Sequence, residues 1–90
     1  MSVYVDDMRA CVIINGTRGR WSHLIADSSA ELEVFARLLS LNPDWVQFPG
    51  TFREHYDITE RIRRKAIEKG AIPIGMREIG ILLRKRGPLV

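Results

Sequence analysis

The sequence predicts a small α/β domain with a mixed sheet, built in two or three layers, with an N-terminal β-hairpin and about three helices. Three observations carry that expectation. The opening third holds three short apolar runs, the last two separated by an Asn-Gly turn. The remainder interleaves helical patterns with brief apolar runs, and strands that alternate with helices call for at least one parallel crossover. A chain of 90 residues, 46% hydrophobic and 28% charged and without repeats or low-complexity tracts, is the size of one globular domain spanning 1–90.

Residues 2–5 form a short β-rich run that ends at Asp6-Asp7, and residues 8–14 form a second with β-branched content. Asn15-Gly16 is a turn signal. A loop through Thr17, Arg18 and Gly19 is expected to lead into a third strand over 20–26, which makes a hairpin with the second. Alternation along it groups Trp21, His23 and Ile25 on one face and Ser22, Leu24 and Ala26 on the other. Ser28 and Glu31 spell a capping box. Leu32, Phe35, Ala36 and Leu39 follow at helical spacing, with Val34 and Leu38 widening the stripe, and Asn42-Pro43 stops the helix.

Trp45-Val46-Gln47-Phe48 reads as a short strand with Trp45 and Gln47 on one face, ended by Pro49-Gly50. A loop over 51–54 delivers His55-Tyr56-Asp57. Asp57 and Glu60 repeat the capping-box spacing, so a second helix is expected to start at Asp57, with Gly70 as its C-terminal cap. Ile72-Pro73-Ile74 is a brief strand. A third helix from Met76 to about Lys85 turns Met76, Ile79, Leu82 and Leu83 inward, despite Gly80, and ends at Gly87-Pro88. The order is β-β-β-α-β-α-β-α.

Composition narrows the function. The single cysteine, Cys11, excludes an internal disulfide and a cysteine-rich zinc site, and its apolar neighbours suit a buried thiol. No charged-then-apolar leader and no membrane-spanning run is visible, so a cytoplasmic protein without a membrane partner is expected. A chain this short buries a modest share of its surface, so a homodimer is expected to help it. The net charge of +3 is uneven: residues 1–58 carry five Lys/Arg against eight Asp/Glu, and residues 59–90 carry nine against three. The basic cluster Arg61, Arg63, Arg64 and Lys65 would attract phosphate; the plainer reading is a solvated helix face.

His23 and His55 are the only histidines. Imidazole titrates near neutrality and ligates cations, so the pair with an acid from Asp6, Asp7, Asp27 or Asp57 would suffice for an acid–base site or a divalent cation. Asp6 and Asp7 end the first strand, where open α/β sheets place ligands, although alternation aims only one carboxylate into a given pocket. His55 and Tyr56 are expected just ahead of a helix N-terminus, which attracts anions and disfavours a protonated imidazole. Asp57 has helix capping as a competing explanation. No Walker loop, G-x-S-x-G or G-x-G-x-x-G is present.

Tyr4-Val5-Asp6-Asp7, Trp21-Ser22-His23-Leu24, Ala26-Asp27, His55-Tyr56-Asp57 and Gly70-Ala71, in that order, resemble the motifs of a family of uncharacterised proteins of about this length from bacteria and their phages, a domain of unknown function. The resemblance covers most of residues 2–75 and brings no activity with it. It implies that these polar motifs travel together and so favours one shared site.

Three functions are compatible with these residues. The first is a hydrolase or transferase of nucleotide or nucleic-acid phosphate esters, with His23 or His55 as base or metal ligand and Asp6 or Asp7 orienting it or holding the cation. The second is a non-catalytic nucleotide or nucleic-acid binding module. There Trp21, Trp45 and Tyr56 stack on a base, Tyr4, Gln47 and Asp57 complete the lining, and Arg61, Arg63, Arg64 and Lys65 meet phosphate. The third is a phage–host protein-interaction module.

Overall fold

A computed structural model describes residues 2–14 and 16–86. Its elements keep the expected order: β1 (Val3–Val5), β2 (Ala10–Ile14), β3 (Thr17–Ala26), α1 (Ser29–Leu38), a 3₁₀ turn (Pro43–Trp45), β4 (Tyr56–Thr59), α2 (Glu60–Glu68), β5 (Ile72–Pro73) and α3 (Met76–Arg86). The five strands make one mixed sheet around β3. Leu24 pairs with Val5 on one edge and Tyr56 on the other, and Trp21 pairs likewise with Ala10 and Thr59. Hence β1 and β2 share one edge of β3, and β4 takes the opposite edge. β5 adds to β1 in parallel, which supplies the expected crossover. The hairpin is β2–β3, and its pairing reaches Ile14↔Thr17, so Thr17, Arg18 and Gly19 belong to the strand rather than to a loop.

Along their shared edge, β1 and β2 are one strand interrupted by a bulge. Val5 faces Leu24 and Ala10 faces Trp21, so four residues, 6–9, lie opposite two, Ser22 and His23. Surplus residues leave the ladder and re-aim their side chains, which is how bulges serve active sites. Arg9 absorbs the distortion with a positive φ of 48°.

The two faces of the sheet do different work. Val5, Leu24, Ala26, Tyr56 and Ile58 are buried on one face against Leu32, Phe35, Ala36 and Leu39 of α1 and its C-terminus, and against Ala66 of α2. Each Val, Leu, Ile or Phe side chain among them contributes about 1.5–3 kcal/mol by leaving water. α3 lies over the other face, beside His23 and Ile25, and anchors there through Ile79, 5% exposed. The result is three layers. Val34 and Leu38 do not widen the core stripe: at about 100° per residue Val34 falls nearly opposite the Leu32–Leu39 arc and Leu38 falls outside its flank, and both are exposed. Met76 is exposed too, and Leu82 and Leu83 are half-buried. The expected stop at Gly87-Pro88 lies outside the described residues.

The fourth strand is not where expected. Asn42 caps the Pro43–Trp45 turn by accepting from the Asp44 N–H, and Phe48 takes a φ of 49°. Extended pairing there is confined to the single bridge Gln47↔His55. The strand is instead Tyr56–Thr59, whose buried and half-buried residues alternate. Its last residue, Thr59, caps α2 by accepting from the Ile62 N–H. Asp57 is therefore a strand residue and not a cap, and His55 stands a full strand before the helix N-terminus.

Both long helices that feed the core close in the same way. After α1, the Ser40 N–H donates to Arg37 and the Leu41 N–H to Ala36; after α2, the Gly70 N–H donates to Ile67 and the Ala71 N–H to Ala66. This is the Schellman closure, which needs a left-handed residue after the cap. Ser40 ends α1 well before Asn42-Pro43. Ser40 (φ 59°) and Gly70 (φ 110°) occupy the corresponding positions. Substitutions there should act with opposite signs. Ser40→Gly is expected to stabilise by about 0.5–1 kcal/mol, and Gly70→Ala to destabilise by about 1 kcal/mol or more, measured by urea denaturation.

Candidate metal centre

Asp6 is the first surplus residue of the bulge and has 0% exposure. All of its polar atoms are engaged. Its N–H donates to the His23 carbonyl (3.1 Å), and its own carbonyl accepts from Arg63 Nε (2.7 Å). Its Oδ1 accepts from the N–H groups of His23 (2.9 Å) and Met8 (3.3 Å). Oδ2 accepts from His23 Nδ1 at 2.5 Å. The side chain thus replaces a missing ladder acceptor and fixes the imidazole in one operation.

Because Nδ1 of His23 points at Asp6, its Nε2 points away, towards Asp57 Oδ1 at 3.9 Å. β3 and β4 pair His23 with Asp57, so the two side chains share a face of the sheet. His55 arrives one residue before β4, held by reciprocal backbone bonds with Gln47. A carbonyl can only accept, so His55 Nδ1 carries its proton and donates to the Arg53 carbonyl (2.6 Å). In the neutral ring that leaves the lone pair on His55 Nε2, 3.6 Å from the same Asp57 oxygen. The two rings meet edge to face, 4.8 Å between centroids.

Three donors, one each from His23, His55 and Asp57, thus lie within 4.8 Å of one another. Zinc–ligand bonds of about 2.0–2.1 Å put tetrahedral ligands roughly 3.4 Å apart, so both His–Asp spacings are within about half an ångström of a coordination shell. Each imidazole also has the outer partner that metal-bound histidines use to fix their tautomer, a carboxylate for one and a carbonyl for the other. Side-chain exposures of 25%, 15% and 17% for His23, His55 and Asp57 leave the centre open to water. Structural zinc sites use four protein donors, so three donors here would leave a bound cation with a position for water or another ligand.

Two clefts adjoin the centre. One, of about 290 Å³, has His23, His55 and Arg53 on one side and Met76, Ile79, Gly80 and Leu83 of α3 on another. The second, of about 350 Å³, brings Trp21, Trp45, Arg61 and Lys65 around Asp57. Arg53, which the sequence reading passed over, lies 4.1 Å above the Phe48 ring; no local pattern announces it.

Of the residues read from the sequence, His23, His55 and Asp57 converge, with Asp6 behind them. Asp6 is a buried support rather than a group that could touch a substrate. Asp7 is exposed and outside this cluster. Asp27 is committed to the chain start, accepting from the Ser2 N–H. Arg63 is 7% exposed, and its Nε is spent on the Asp6 carbonyl, so it braces the bulge and is not a phosphate contact. Tyr56 is 4% exposed and packs in the core on the opposite face from Asp57; burial, then Glu33 and Glu54, push its hydroxyl above the usual range. Tyr4, half-buried, pairs with Ile25. Gln47 serves through its backbone. Trp45, Arg61, Arg64 and Lys65 are exposed. Cys11 is exposed rather than buried.

The model of the family described as Protein of unknown function (DUF4031) matches residues 3–86. No curated protein and no solved structure matches the chain.

The Asp6–His23 pair makes stability depend on pH from both sides. The hydrogen bond that the His23 ring donates to Asp6 raises the His23 pKa above its ordinary 6.5 against the opposing effect of burial, with the charges of Asp6 and Asp57 adding to it. Burial pushes Asp6 up, but the His23 ring, backbone and charge outweigh it and hold the carboxyl below its ordinary 3.8. A raised histidine contributes stability that is complete below the unfolded value and lost as pH rises through the folded one. A lowered carboxyl contributes stability that is complete above its unfolded value and lost as pH falls through the folded one. Both contributions are therefore full between about pH 4 and 6.5. Denaturation of chelator-treated protein should show the advantage of wild type over Asp6→Asn largest in that window and shrinking on either side. A pH-independent difference would contradict the pairing.

Proposed function

Since the chain belongs to the DUF4031 family, which carries no assigned activity, we propose from the site alone that it is a metal-dependent hydrolase or transferase of phosphate esters. His23, His55 and Asp57 hold one divalent cation. The observation that carries this reading is the convergence of two Nε2 atoms on one Asp57 carboxylate, with both Nδ1 atoms already bonded elsewhere. A cation bound there would polarise a phosphoryl oxygen and make a bound water acidic enough to attack near neutral pH. The chain's own residues do the rest. Asp6 keeps His23 oriented, the Arg53 carbonyl keeps His55 in its ligating tautomer, and Arg53, Arg61 and Lys65 in the adjoining clefts favour an anionic substrate.

A non-catalytic nucleotide-binding module is the second reading. It draws on one observation: an exposed indole, Trp45, shares a cleft with Arg61 and Lys65, which suits a stacked base with its phosphate.

Zinc titration calorimetry and turnover of p-nitrophenyl phosphate separate these. Asp6→Asn keeps all three donors but frees the His23 ring, and is expected to weaken zinc binding roughly 10- to 100-fold. His23→Ala, His55→Ala and Asp57→Ala should each weaken it further and abolish turnover, whereas Asp7→Ala and Arg64→Ala should change neither. Zinc binding that survives all three donor deletions would sink the metal centre. Intact binding without turnover would favour the binding module.

A further inference from the structure

Gly80 stands in the interior of α3, where glycine is the poorest helix former after proline. The fold does not demand it. Its φ is not in the left-handed region, and a Cβ built there would meet only the mobile end of the Arg84 side chain, at an ordinary 3.7 Å. What the missing side chain leaves is space: Gly80 lines the cleft of about 290 Å³ between α3 and the two histidines. The walls of that cleft are chemically divided. Ile25, Met76, Ile79 and Leu83 form an apolar side, and Arg53 stands with His23 and His55 on the polar side. Such a pocket suits a ligand with an anionic head at the polar end and an apolar body about the size of one ring.

Building on the metal-centre reading, we propose that this cleft is the subsite for the organic group of the substrate, a small monoester whose apolar or aromatic body lies against α3 while its phosphate faces Arg53 and the His23–His55–Asp57 centre. Gly80 sets the depth of the subsite. Helix stability is forgone at that position to keep the cleft open, and any larger side chain there projects into the space the organic group fills. The 5%-exposed Ile79 next to it fixes the height of the helix above the sheet, so the opening cannot be recovered by a shift of α3 without exposing that anchor.

The test compares phenyl phosphate with inorganic phosphate, by calorimetry, on the zinc-loaded full chain. Wild type is expected to bind phenyl phosphate at least about tenfold more tightly, the equivalent of about 1.4 kcal/mol. Gly80→Leu should erase that advantage and leave the affinities for zinc and inorganic phosphate in place. Gly80→Ala should raise the thermal midpoint, because it removes a poor helix former, while reducing the advantage. Equal affinity for the two phosphates in wild type, or an advantage that survives Gly80→Leu, overturns the subsite. Failure of wild type to bind zinc would overturn the metal centre instead, and the same comparison on zinc-free protein would then read the cleft through Arg53 alone.

Discussion

A single buried carboxylate organises this molecule. Asp6 sits at 0% exposure, and taking a charged group out of water is costly unless every lone pair finds a donor. Here two backbone N–H groups and one imidazole N–H satisfy the carboxylate, while its peptide bonds to His23 and Arg63. The same contacts hold the β1–β2 bulge in shape, orient His23, and tie α2 to the end of β1. Arg63, basic and nearly buried, is explained by this role: its guanidinium donates to the Asp6 carbonyl inside the bulge. Ser22 is the matching support on β3, accepting the Arg9 N–H across the same bulge.

The period of the strands lets core and site share one backbone. Ser22, Leu24, Ala26, Tyr56 and Ile58 are buried on the face that α1 and α2 cover, and His23 and Asp57 alternate with them along the two strands. Donors mounted between buried neighbours inherit the rigidity of the core, which a loop-borne site lacks. His55 is the exception. It stands on the short link between the Gln47 bridge and β4, so its position depends on two backbone hydrogen bonds and on the Arg53 carbonyl.

Much of the fold was legible because each signal was local. The Ser28 cap, the alternation over 20–26 and the glycine after the second helix are all decided within a few residues, and each is found. The errors have a common source as well. Tyr56-Asp57-Ile58-Thr59 offers both a period-2 strand and an acidic capping box, and local spacing does not rank them; the buried face of Tyr56 and Ile58 does. Once the strand wins, Asp57 passes from capping to the site, and the two histidines acquire a shared carboxylate. The bulge and Arg53 were beyond reach, because they depend on register between segments and on a loop without periodicity. The basic run 61–65 misled in part for the same reason: composition gives its charge, but only the helix phase shows that Arg63 turns inward while Arg61, Arg64 and Lys65 remain outside.

The bulge also bears on how such a site can be gained or lost. Four residues opposite two leave a surplus of two, and because side chains alternate with period two, an even surplus preserves parity. Val3 and Val5 before it, and Cys11 and Ile13 after it, all keep to the same face of the sheet. An odd surplus would invert every side chain of β2. Insertion or removal of a residue pair at this position is therefore a change the hairpin can absorb whole, whereas a single-residue change is not. The scaffold of this His–Asp cluster can come and go on this sheet in steps of two residues without rewriting the hydrophobic pattern around it.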